Sequence, residues 1–272
     1  MEGNILIAFG LTIFAGLSTG IGSALAFFTK TTNTKFLSWA LGFSGGVMIY
    51  VSFTEILGKS RELLVHTQGE VAGNWYAVLA FFAGIFVIAI IDLLVPSYEN
   101  PHEVHRVEEL VINGNNKNRI KNSSLMRMGI FMATAIAMHN FPEGIATFAA
   151  GLTDMKLAIP IAIAIAIHNI PEGIAVSIPI YYATGKKRKA FLLSFMSGLA
   201  EPLGALIGYF FLSVFFSETI LGILFGSVAG IMVFISVDEL LPTAREYGFH
   251  HQAIYGLVAG MIVMAISLLL FI

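Results

Sequence analysis

Eight apolar stretches divide the chain. They cover residues 4–28, 36–57, 74–96, 126–150, 157–182, 190–215, 219–241 and 252–272. A hydrocarbon core about 30 Å thick takes about 20 apolar residues in helical form. Within lipid a helix satisfies all its own backbone polar groups, which a lone strand cannot. The pattern therefore predicts an all-α polytopic membrane protein with eight transmembrane helices. Small-residue seams at Gly42, Gly45 and Gly46, and at Gly198, Gly204 and Gly208, predict close helix contacts.

The polar positions between these stretches set the orientation. Basic residues favour the cytoplasmic side. With the N-terminus outside, the cytoplasmic connections hold Lys30, Lys35, Arg106, Lys117, Arg119, Lys121, Arg127, Lys186, Lys187, Arg188, Lys189 and Arg245, leaving only Lys59, Arg61 and Lys156 outside. Both termini are thus expected to be extracytoplasmic. The longest polar segment, about 97–124, reads as a cytoplasmic loop within a single transmembrane domain spanning 1–272. It carries His102, His105 and the run Asn113-Gly114-Asn115-Asn116-Lys117-Asn118.

Composition narrows the function classes. The 272 residues are 57% hydrophobic and 12% charged, with a mean hydropathy of +0.83. An ordinary soluble domain is about 25% charged. The hydropathy therefore points to lipid as the main solvent, and a net charge of -2 suggests no nucleic-acid partner. The absence of cysteine excludes disulfides and thiolate zinc sites. No GxxxxGK[ST] loop supplies an ATP engine. The uncharged run from Gly3 to Thr29 has no basic segment ahead of it and is expected to be a retained helix.

Against this apolar background, one duplicated motif stands out. The fourth stretch reads His139-Asn140-Phe141-Pro142-Glu143-Gly144 and the fifth His168-Asn169-Ile170-Pro171-Glu172-Gly173. His and Glu four residues apart share one helix face. A neutral imidazole and a carboxylate there can grip one cation. The proline between them cannot donate a backbone hydrogen bond and frees the carbonyl four residues back, at Met138 and Ile167. Only Gly151 to Lys156 separate the two stretches, so the helices are expected to pack antiparallel with their motifs facing each other. Asn140 and Asn169 add amide oxygens.

The sixth stretch contributes Glu201, beside Pro202. None of these mid-membrane carboxylates has a basic partner within the eight stretches. Uncompensated charge in lipid is costly, so bound cations or protons are the expected compensation. Nitrogen and carboxylate ligation without sulfur suits Zn²⁺, Fe²⁺, Mn²⁺ and Co²⁺. Glu55, Asp92, Asp238 and Glu239 are expected near helix ends, where water solvates them. Met48 reads as packing on residue type alone, and His66, His250 and His251 as solvated.

These motifs resemble the ZIP family of metal transporters, its bacterial members most closely, over nearly the whole chain. The likeness rests on the two motif copies, on Ser197-Gly198-Leu199-Ala200-Glu201 and on Ser236-Val237-Asp238-Glu239-Leu240. It implies a multi-pass protein of the cell membrane that imports divalent cations without ATP, by sliding or rocking its metal-bearing helices, and it allows a homodimer. It also implies a binuclear site. One metal would sit on His139, Glu143, His168 and Glu172, with Met48 as a candidate further ligand. The other would use Asn140, Asn169 and Glu201, with Glu143 and Glu172 bridging. Asp238 matches a position linked to cation selectivity, and Glu55 would stand near the outer mouth. Zinc, and with it iron, manganese and cobalt, would be substrate; no cofactor is expected.

Two other classes remain to be weighed. A membrane di-metal enzyme would use similar donors, but helical di-iron sites show Glu-x-x-His, and no nucleophile accompanies the motif here. An organic-solute carrier would need a basic or aromatic clamp that is absent from the stretches. A selective channel with the same ligands is the alternative within the transport class.

Overall fold

The computed structural model describes residues 2–25, 34–94, 117–153, 155–215, 217–246 and 249–270. Apart from short connections such as Gly69 and Gly185-Lys186, the chain is helical throughout these residues. Helix α1 spans Glu2–Leu25, α2 Thr34–Val51, α3 Leu57–Gln68, α4 Glu70–Leu94, α5 Lys117–Thr153 and α6 Met155–Thr184. Then follow α7 Lys187–Gly198, α8 Ala200–Phe215, α9 Glu218–Ile235, α10 Leu241–Glu246 and α11 His250–Leu269. A π-helical turn at Ser52–Ile56 joins α2 to α3, and another at Ser236–Leu240 joins α9 to α10. α7 and α8 meet at Leu199. The eleven helices thus form eight rods among the described residues, matching the eight apolar stretches. Seven rods are long and apolar enough to cross a bilayer. The eighth, α5, has a polar beginning, and the His, Asn, Pro and Glu of its motif dilute the apolar remainder.

The surface is inverted relative to a water-soluble bundle. Large side chains such as Leu6, Trp75, Phe86, Phe210 and Leu269 point outward, exposed. Buried inside are Asn140, Glu143, His168, Asn169, Glu172 and Glu201. That distribution fits lipid outside and a polar site within, and the chain is a multi-pass membrane protein.

The rods sort into two groups. In one, α1 packs on α6, and α5 packs on both α6 and α8, with α7 against α1 and α6. In the other, α2 packs on α11, α4 on α9, and α3 on both α4 and α9. Contacts between the groups run chiefly through α2 with α6 and α5 with α9. The motif glycines permit the first group's tight approaches. A Cβ on Gly144 would collide with the Glu201 carbonyl oxygen of α8, and one on Gly173 with the Thr19 carbonyl oxygen of α1.

Three acidic residues lie elsewhere than expected. Glu55, Asp238 and Glu239 are not at helix ends but in the two π turns, inside continuous rods. Glu239 is only 1% exposed. Hydropathy falls where a rod leaves the apolar layer, yet α3 and α10 carry the helix onward, so the loss of apolar character did not mark a terminus. The two turns match position by position: Gly46 with Gly230, Met48 with Met232, Ser52 with Ser236, Glu55 with Glu239. In each, the serine hydroxyl donates to the carbonyl four residues back, Ser52 to Met48 at 2.6 Å and Ser236 to Met232 at 2.7 Å. Serine back-bonding of this kind often bends a helix.

The last part of the expected loop at 97–124 is helical instead, since α5 starts at Lys117. His102 and His105 lie outside the described residues. Around the prolines the outcomes differ. α5 runs on through Pro142 and α6 through Pro171, whereas the sixth rod is interrupted just before Glu201 and Pro202.

A buried cluster of acceptors as the candidate metal site

The site is assembled mainly where α5, α6 and α8 meet. Antiparallel packing of α5 and α6 brings the two motif copies together: Glu143 Oε2 lies 3.3 Å from His168 Nε2, and both side chains are fully buried. The carboxylate of one copy therefore meets the imidazole of the other. The His139 side chain lies outside the described residues.

The asparagines are held by their amide nitrogens. Asn140 Nδ2 donates to the Ser197 carbonyl at 3.2 Å, and Asn169 Nδ2 to the Ala15 carbonyl at 3.0 Å. Asn169 Nδ2 also donates to Glu201 Oε1, tying α6 to α8. With the nitrogens so used, both amide oxygens remain as acceptors. Glu172 is engaged from the other helix group: Ser44 Oγ of α2 donates to its Oε1 at 2.6 Å. Met48, also buried, lies one turn along α2 from Ser44.

Glu143 Oε1, Glu201 Oε2, Asn140 Oδ1 and Asn169 Oδ1 are all buried, with no hydrogen-bond partner among the described residues. All four are acceptors. Buried polar atoms ordinarily find partners, and an unsatisfied one costs about 1–3 kcal/mol. No lysine or arginine is buried among the described residues. Buried acceptors beside carboxylates, with no buried lysine or arginine among the described residues, make an environment complementary to a cation. Among the described residues, no three His, Asp or Glu side chains form a metal cage by themselves. The amide oxygens of Asn140 and Asn169 are further buried acceptors there.

Sequence reasoning overlooked three contributors. Ser44 was legible in principle, because it stands four residues before Met48 on one helix face. The carbonyls of Ala15 and Ser197 were not, since a backbone acceptor carries no residue signature. Glu239 was assigned to solvent on the strength of a misplaced helix end. His66 and His250 are exposed as expected, and His66 Nδ1 sits 2.9 Å from Glu218 Oε2 at the surface.

Comparison with known proteins places these residues in a wider set. The family model described as "ZIP Zinc transporter" matches residues 96–268. The chain is similar to the zinc transporter ZupT of Clostridium perfringens, at 62% identity over 99% of this chain and 97% of that protein. It is 60% identical to the zinc transporter ZupT of Nitratidesulfovibrio vulgaris, covering 99% of each. With the zinc transporter ZupT of Chlorobium chlorochromatii it shares 61% identity over the full length of both.

Proposed function

Because the chain belongs to the ZIP zinc transporter family, we propose that it imports zinc across the cell membrane as one transport domain, using the buried cluster between α5, α6 and α8. The observation that carries this reading is the set of buried acceptors, Glu143 Oε1, Glu201 Oε2, Asn140 Oδ1 and Asn169 Oδ1, with no lysine or arginine buried among the described residues. A divalent cation gives up water there and gains carboxylate, imidazole and amide donors. Nitrogen and oxygen ligation of this kind also accepts iron, manganese and cobalt.

In this reading two ions share the cluster. His139, Glu143, His168 and Glu172 hold the first, with Met48 beside them. Asn140, Asn169 and Glu201 hold the second, and the glutamates of the motif copies bridge. Alternating access follows from sliding the α1, α5, α6, α7 and α8 group against the other along the α2–α6 and α5–α9 contacts. Both termini face outside, as the basic residues suggest. All the named donors come from one chain, so a homodimer would serve stability or regulation and not ligation.

The test is uptake by the purified protein in liposomes, with zinc, iron, manganese and cobalt in competition. Saturable zinc entry without ATP is expected. Failure of zinc to enter, or chemical conversion of a substrate without metal flux, would overturn the reading.

A further inference from the structure

The turn between α6 and α7 gathers four consecutive basic residues, Lys186, Lys187, Arg188 and Lys189, all exposed. With Leu192 and Leu193 they line an open recess of about 580 Å³. The turn is short: Gly185 and Lys186 alone separate the two helices. Gly185 takes a φ of 67°, a left-handed conformation that glycine adopts without strain. Its N–H donates to the Tyr181 carbonyl at 2.7 Å, and the Lys186 N–H donates to Thr184 Oγ1 at 3.2 Å. The basic side chains are therefore carried on an ordered backbone.

An apolar stripe leads away from this turn. Arg188, Leu192, Met196, Leu199 and Leu203 recur at intervals of three or four residues, so they follow one face of α7 and α8. The apolar members are 36–61% exposed. From Arg188 to Leu199 a helix rises about 16 Å, close to half of a hydrocarbon core of about 30 Å. The stripe thus spans the depth of one leaflet below the basic turn. The helices packed on α7 place no carboxylate at this end. In α1, α5, α6 and α8 the acidic residues are Glu2, Glu143, Glu172 and Glu201. The last three belong to the buried cluster. Glu2 starts α1, whose opposite end, at Gly20, lies against Phe191 and Phe195 of α7.

We infer that the α6–α7 turn binds an anionic phospholipid. The basic residues hold its phosphate headgroup, and an acyl chain lies along Leu192, Met196 and Leu199. Basic recesses at a membrane surface select negative headgroups, and a guanidinium such as that of Arg188 pairs with phosphate through two parallel hydrogen bonds. A free phosphate would use only the head of this arrangement. A soluble partner would not reach the stripe, which lies within the bilayer. The lipid site is separate from the buried acceptors and holds whichever metal they take.

The experiment titrates the purified full chain in neutral detergent with fluorescent phosphatidylglycerol, and in parallel with phosphatidylcholine of the same acyl chains. Saturable binding of phosphatidylglycerol, about tenfold or more tighter than phosphatidylcholine, is expected. Arg188→Gln combined with Lys189→Gln should raise the half-saturating concentration about tenfold or more. Lys59→Gln combined with Arg61→Gln removes the same charge from α3 and should change it less than about twofold. The exchange of Arg188→Lys with Lys189→Arg keeps the charge and should bind as the wild type does, which separates loss of charge from misfolding. Excess inorganic phosphate at constant ionic strength should not displace the lipid. Equal binding of the two lipids, or wild-type binding by the Arg188 and Lys189 glutamine variant, overturns the inference. So does an equal loss in the Lys59 and Arg61 variant, a loss in the charge-keeping exchange, or displacement by inorganic phosphate.

Discussion

Glu143 Oε2 and His168 Nε2 stand 3.3 Å apart in the buried interior, although 25 residues separate them along the chain. Each comes from a different copy of the same motif. Packing α5 against α6 therefore brings the carboxylate of one copy to the imidazole of the other.

Crosswise pairing makes the site sensitive to either copy. Glu143→Ala removes a carboxylate that α6 cannot replace, because Glu172 is already engaged by Ser44. Zinc flux into liposomes should be abolished, with the protein still inserted and folded. Glu143→Ala vesicles that take up zinc at the wild-type rate would remove Glu143 from the site.

Glu201 occupies a different role. One of its oxygens accepts from Asn169, and the other has no hydrogen-bond partner among the described residues. Glu201→Gln keeps the size and removes the charge. The relative rates for zinc, iron and manganese should shift more than total transport falls. Competition uptake assays decide this, and an unchanged ratio among the metals counts against a selectivity role.

Protons compete with the metal for the imidazole. Ligation needs the neutral ring, so a proton and the metal compete for the same nitrogen. Acidifying the outer solution should therefore raise the apparent KM for zinc. His168→Ala should have a higher KM at neutral pH and a smaller further rise on acidification. Flux measured against external pH, without a proton gradient, checks both; a wild-type KM independent of pH would count against imidazole ligation.

Gly144 ties the motif to the fold. A methyl group there would collide with the Glu201 carbonyl, so Gly144→Ala must push α5 away from α8. Overpacking of this kind costs about 1–3 kcal/mol. Thermal unfolding in detergent should show a lower Tm, accompanied by reduced zinc flux because Glu143 and Glu201 move apart. A wild-type Tm would mean that the contact yields without strain.

How much of this was legible beforehand depends on whether a feature is local. The eight rods follow from apolar length, since lipid forces each segment to satisfy its own backbone. The motif residues His139, Asn140, Glu143, His168, Asn169, Glu172 and Glu201 stood out because polar groups are rare in such segments and because the motif is duplicated. The short link between α5 and α6 also foretold their antiparallel contact. Only the tertiary structure decided that Glu143 meets His168, that Asn140 and Asn169 spend their nitrogens on the carbonyls of Ser197 and Ala15, and that Ser44 holds Glu172 from the opposite helix group. It also put Glu239 inside a π turn instead of at a helix end. These depend on helix rotation and on which rods adjoin, and packing across the whole bundle sets both, whereas hydropathy along one segment reports only the passage from lipid to water.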